Sequence, residues 1–179
     1  MFIRTERLFL RPGWAEDAPE LARAIGDEAI VRNLARVPWP YREEHARAWL
    51  SLPKNPRLPS LLVTLPGEGG RIVGNCGLHE DEGEPAIGYW IARGHQGRGF
   101  ATEAARALVG LARVIGYRRL LSHHFADNPA SGRVLRKCGF VPTGRTSHRP
   151  SLARGAIVPS VNYVAEIVDD YAARMPAAA

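Results

Sequence analysis

The chain has 179 residues, 45% of them apolar and 23% charged, with a formal net charge of +6. That length suits one core and one domain, no run approaches the roughly 20 apolar residues that span a bilayer, and Glu6 and Arg7 interrupt any basic-then-apolar leader, so a cytoplasmic domain is expected. The arginines are spread without a dense basic tract or paired zinc ligands, which argues for solubility and an anionic cofactor or acidic partner rather than nucleic acid.

Ile3 to Arg11 has the character of a first strand. From Trp14 to Ile25 the period changes, and Trp14, Ala18, Leu21, Ala22 and Ile25 share one helical face. Asp27 to Ala35 continues as a second short helix until Pro38-Trp39-Pro40 stops it. Arg42 to Leu50 is a third, with Ala46, Trp49 and Leu50 on one side and Glu43 and Arg47 at i,i+4. Pro53, Pro56 and Pro59 mark an irregular connector. Leu61 to Leu65 and Arg71 to Leu78 are strands joined through Pro66 to Gly70 as a hairpin. Asp81 to Glu84 turns into the apolar strand that ends near Ile91 or Ala92.

Gly99 to Ile115 has strong helical periodicity, with Gly116 placed as a C-cap. Arg119 to Phe125 is a strand whose alternation sends His123 and His124 to opposite faces, a poor arrangement for joint metal ligands. Asn128 to Cys138 is a helix closed by Gly139, and Phe140-Val141-Pro142 starts another strand. His148 to Gly155 is polar and reads as loop, Val161 to Val168 as the last strand, and Ala177 to Ala179 as a frayed tail. Cys76 and Cys138 sit among apolar residues without metal-ligand spacing, so both read as free, buried thiols. An antiparallel run followed by a strand–helix–strand–helix unit predicts an α/β fold with a mixed, twisted sheet and helices on both faces.

The stretch Gln96-Gly97-Arg98-Gly99-Phe100-Ala101-Thr102 joins a strand to a helix. Its glycines admit backbone angles closed to other residues, and the helix start leaves amides free for a phosphate. It lacks the spacing of a dinucleotide fingerprint, and no G-K-[ST] follows. With Glu103-Ala104 it resembles the acetyl-CoA pyrophosphate loop of GNAT acyltransferases. Three further segments are similar to the branch containing ribosomal-protein N-terminal acetyltransferases. They are Thr5-Glu6-Arg7-Leu8-x-Leu10-Arg11, Ile87-Gly88-Tyr89-Trp90-Ile91, and Asn128-x-x-Ser131-x-x-Val134-Leu135-x-Lys137-x-Gly139-Phe140. The broad family favours Gln or Arg where this chain has Gly94, a departure common in that branch.

The resemblance implies acetyl-CoA as acetyl donor, its pyrophosphate on amides from Gln96 to Ala101 with Thr102 alongside. Arg98 either adds a phosphate contact or faces solvent. The pantetheine arm lies along Tyr89, Trp90 and Ile91 in a gap before the strand from Arg119. Asn128 bonds that arm or simply caps its helix. Ser131 protonates the leaving thiolate, a part that Leu135 cannot take where many relatives carry Tyr; otherwise solvent does. An amide near Tyr89 to Ile91 stabilises the oxyanion. For the base the candidates are Glu80 and His79 first, then Glu82 and Glu84. Trp39, Tyr41, Trp49 and His148 are candidates for the acceptor site. The implied activity is direct transfer to a protein or peptide N-terminal α-amine. The alternatives are a small amine (aminoglycoside, polyamine or amino-acid-like metabolite) and acetyl-CoA binding without turnover; the resemblance also makes a homodimer plausible.

Overall fold

The computed structural model describes residues 1–167, so the expected tail and Val168 lie outside the described residues. Among the described residues, eight strands form one sheet in the order β1-β2-β3-β4-β5-β6-β8-β7. The strands are β1 (Ile3–Arg4), β2 (Phe9–Arg11), β3 (Ser60–Leu65), β4 (Arg71–Asp81), β5 (Glu84–Ile91), β6 (Arg119–Phe125), β7 (Val141–Ser151) and β8 (Ala156–Glu166). All neighbours are antiparallel except β5 and β6, which run parallel. The helices are α1 (Ala18–Ile25), α2 (Glu28–Val31), α3 (Glu43–Leu50), α4 (Phe100–Ile115) and α5 (Pro129–Lys137). This is the mixed sheet with helices on both faces that the order of elements predicts.

Strand alternation divides the core in two. Leu61, Val63, Leu78, Ile87 and Ile91 pack under Leu108 of α4 and Leu135 of α5. Leu62 and Ile72, with partly buried Trp90, pack under Leu21 of α1 and Leu50 of α3. The two faces of β5 therefore look into two different helical layers.

Four expectations change. The first strand is two, because Thr5 folds the chain back: its N–H donates to Leu8 O at 3.0 Å and its hydroxyl accepts from Leu8 N–H. The first helix opens with a 3-10 turn over Ala15–Asp17, and Trp14 lies outside the apolar stripe, 48% exposed, with the Arg11 guanidinium 4.3 Å over its ring. The second helix is one turn, Glu28–Val31, capped by Asp27 Oδ1 accepting from Ala29 N–H. His148 to Ser151 belong to strand β7, and the turn spans only Leu152–Gly155; β7 is an edge strand, so its mostly exposed, polar residues pair through the backbone without an apolar face to reveal them.

Arg11 and Asp17 hold the first layer to the sheet. Arg11 donates from both terminal nitrogens to the Asp17 carboxylate at 2.7 and 2.8 Å, and Trp14 N–H donates to the same group. Burial alone would raise the Asp17 carboxyl; the Arg11 and Trp14 hydrogen bonds and the Arg11 charge outweigh it and hold the group below its ordinary value. The contribution is therefore present above the unfolded carboxylate pKa of about 3.9 and lost as pH falls through the lower folded value. Asp17→Asn should cost about 1.5–3 kcal/mol at pH 7. Urea unfolding should show that gap closing as the pH drops below about 4.

Candidate functional site

β5 and β6 form a single bridge, Ala86 with Leu121, and beyond it they part. Ala92 N–H donates to Val73 O, so antiparallel alternation directs the backbone groups of Gly88 and Trp90 toward β4. Those of Ile87, Tyr89 and Ile91 face the gap. Ile87 O accepts from Ser122 Oγ at 3.1 Å, and Ile91 O accepts from Gln96 Nε2 at 2.9 Å. The amides of Tyr89 and Ile91 are left pointing into the opening. A cavity of about 840 Å³ occupies it and reaches both helical layers.

One end of the cavity is the glycine turn. A 3-10 turn at Arg93–His95 leads into extended Gln96, then Gly97 at φ +76° and Gly99 at φ +84°. Gly99 is the N-cap of α4 and offers no side chain, so the amides of Phe100, Ala101 and Thr102 open toward the cavity ahead of the first helical bond, Glu103 N–H to Gly99 O. Such a nest fits a pyrophosphate. Gln96, Gly97, Gly99, Phe100, Ala101 and Thr102 line the cavity. Arg98 does not: its guanidinium stacks 4.7 Å over Phe100 and pairs with Glu68 at 3.7 Å, which favours the solvent-facing alternative.

The turn is held from outside by the first hairpin. Thr5 Oγ1 donates to Glu103 Oε1 at 2.6 Å, Arg7 N–H donates to the same oxygen at 2.8 Å, and Arg7 Nε donates to Oε2 at 2.8 Å. Arg7 also donates to Arg98 O at 2.9 Å. The Thr5-Glu6-Arg7 motif thus clamps the loop that lies some ninety residues on, a link sequence reading missed.

On the α4–α5 face, Tyr89 and Ser131 meet. The two hydroxyls are 2.9 Å apart, and Tyr89 Oη also donates to Ser131 O at 3.0 Å. Burial pushes the Tyr89 phenol far up, so it stays protonated. Asn128 is the N-cap of α5, yet its side chain makes no capping bond and lines the cavity instead. That removes the capping-only alternative. Leu135 is wholly buried in the core. Arg133 and Lys137, one turn apart on α5, also line the cavity; Lys137 stood in the third matching segment, but neither was given a role from sequence, and their i,i+4 spacing was the available signal.

On the α1–α3 face, Trp90 is joined by Tyr41 and Trp49, while Trp39 and His148 stand off the cavity. His79 and Asp81 point here from β4. Glu80 between them faces the other way and is exposed, because neighbours in a strand take opposite faces. Glu82 and Glu84 likewise lie off the cavity. His123 faces this side from β6, whereas His124 packs on Tyr163 with ring centroids 5.4 Å apart. The split of the two histidines is as expected. Burial lowers the His79 imidazole, with Asp81 opposing and Arg36 and Arg149 assisting, so it is held neutral at neutral pH. Cys76 is buried, its thiol raised by burial to about 12, and Cys138 Sγ sits 3.7 Å from Thr102 O; both are free thiols. Among the described residues no helix is long and apolar enough to cross a membrane.

A family model described as acetyltransferase (GNAT) domain matches residues 7–141. A curated relative, the uncharacterized N-acetyltransferase p20 of Bacillus licheniformis, is 28% identical over 152 residues, covering 79% of this chain and 83% of the relative. Among solved structures, a GNAT-family acetyltransferase from Bacillus anthracis superposes with TM-score 0.79 at 23% identity, covering 93% of this chain and 98% of that one. RimL, a ribosomal L7/L12 α-N-protein acetyltransferase solved with coenzyme A, gives 0.76 at 20% identity over 93% and 98%. The microcin C7 self-immunity acetyltransferase MccE, solved with acetyl-CoA and AMP, gives 0.76 at 20% over 91% and 94%.

Proposed function

The chain belongs to the acetyltransferase (GNAT) domain family, and from that premise we propose that it transfers the acetyl group of acetyl-CoA to a protein or peptide N-terminal α-amine. The observation that carries the reading is the parted β5–β6 pair, with free amides at one mouth and two opposite faces bearing different chemistry. Likeness in fold to RimL, whose acceptor is a protein α-amine, supports the acceptor class.

When bound, acetyl-CoA supplies an activated acyl carbon. The amides of Phe100, Ala101 and Thr102 hold its phosphates, and Arg133 and Lys137 add positive charge along α5. One amide of the Tyr89 and Ile91 pair donates to the acyl oxygen as charge develops there, and the other is left for the pantetheine arm. Ser131, backed by the Tyr89 phenol, gives the proton that the departing sulfur needs. The amine approaches from the α1–α3 face, where burial keeps the His79 imidazole neutral. An α-amine, with a pKa of about 8, gives up that proton more easily than a lysine at about 10.4.

Release of free CoA, with mass analysis of the acceptor, tests this. Peptides beginning with Ala or Ser should be acetylated at the α-amine. Turnover confined to aminoglycosides, polyamines or amino-acid amides would transfer the site to small amines, and binding without any turnover would leave a cofactor-binding protein.

A further inference from the structure

The acceptor face holds a cluster that the reaction as described leaves without a part. His123 on β6, Asp81 on β4 and Arg149 on β7 converge there, with side chains only 14–19% exposed. Arg149 Nη1 donates to Asp81 Oδ1 at 2.7 Å, and Arg149 Nε donates to Ser147 Oγ at 3.2 Å, which fixes the guanidinium. The other Asp81 oxygen lies 3.7 Å from His123 Nδ1, a buried nitrogen without a hydrogen-bond partner among the described residues. Buried polar atoms are rarely left so, and this one has a carboxylate in front of it. Burial alone would raise the Asp81 carboxyl, but the Arg149 hydrogen bond and charge outweigh it and keep Asp81 ionised. A carboxylate facing Nδ1 favours the tautomer with its proton there, leaving the lone pair on Nε2. The ring itself lines the cavity.

We propose that His123 is the immediate proton acceptor for the incoming amine, with Asp81 as the positioning residue that holds its tautomer. This rests on the acetyl transfer proposed above. In the step, an N–H bond of the amine breaks as its nitrogen bonds the acyl carbon, the proton moves to His123 Nε2, and the electron pair stays in the new amide. The C–S bond breaks toward sulfur, and the proton on His123 leaves to water when the site opens. The charged and titratable groups facing His123 are Asp81, His79 and Arg149, with His124 behind it on the opposite face. Burial, Arg149 and the two histidines, opposed by Asp81, lower its pKa to about 4, so the imidazole is neutral at neutral pH.

The test uses the full chain and the best amine found for the wild type. His123→Gln should lower kcat/KM for that amine at least tenfold while leaving the Kd of acetyl-CoA unchanged, since the opposite wall holds the donor. His123→Ala should fall similarly and recover when imidazole is added. His79→Gln should lose less than His123→Gln. Wild-type kcat/KM in His123→Gln, or a loss in His123→Ala that imidazole does not restore, overturns the assignment. A wild-type chain that acetylates no amine overturns the underlying reading along with it.

Discussion

Ser131→Ala should lower kcat about 10²-fold and leave the Kd of acetyl-CoA within about twofold of wild type. Ser131 is the hydroxyl of α5 closest to the Tyr89 phenol, at 2.9 Å. Leu135 has no proton to give and is packed in the core, so the α4–α5 face offers this pair for protonating sulfur. The coenzyme thiol has a pKa near that of cysteine, about 8.5, so a thiolate can leave slowly without help. Loss of Ser131 therefore slows turnover without abolishing it. Tyr89→Phe separates the two hydroxyls: it keeps Ser131 but removes the phenol oxygen beside it, and a smaller fall in kcat is expected. Single-turnover kinetics with saturating donor measures both. Unchanged turnover in Ser131→Ala would remove the serine from the chemistry and leave solvent in its place.

The parts of this site legible in the sequence are those built from neighbours along the chain. The glycine turn, the helix after it and the Asn128–Ser131 spacing are local patterns with a fixed period, and residues of each line the cavity. Alternation separates His79 from Glu80, since adjacent strand residues cannot share a face, and groups Asp81 with His79. The Asp81–His123–Arg149 cluster is different in kind. It joins three strands, with Asp81 and Arg149 68 residues apart, so no local pattern marks it. The turn at Thr5 was hidden because its flanks, Ile3 and Phe9, read as one extended segment. The far end of β7, His148 to Ser151, was hidden because an edge strand exposed to water carries no apolar alternation.

Arg7→Ala should weaken acetyl-CoA binding about tenfold, more than Glu103→Ala does, although both break the same ion pair. The carboxylate of Glu103 sits in the first turn of α4, beside the amides that open on the cavity. Burial alone would raise its pKa, but Thr5 and Arg7 hydrogen bonds and the Arg7 charge outweigh that and keep it ionised. An anion at a helix start stabilises the helix by itself, yet it competes with a second anion arriving at the same amides. Arg7 cancels that competition: Nη2 lies 2.7 Å from Glu103 Oε2, while Nη1 fixes the loop at Arg98 O. Removing Arg7 frees the loop and leaves the carboxylate uncompensated. Removing Glu103 loses the clamp on Thr5 and Arg7, at a cost to stability of about 1–2 kcal/mol given how exposed Arg7 is, but it also lifts the repulsion. The double variant should therefore bind acetyl-CoA more tightly than Arg7→Ala alone. Calorimetric titration at low and high salt checks this. A double variant that binds no better than Arg7→Ala would mean that Arg7 acts by holding the loop and not by screening the carboxylate.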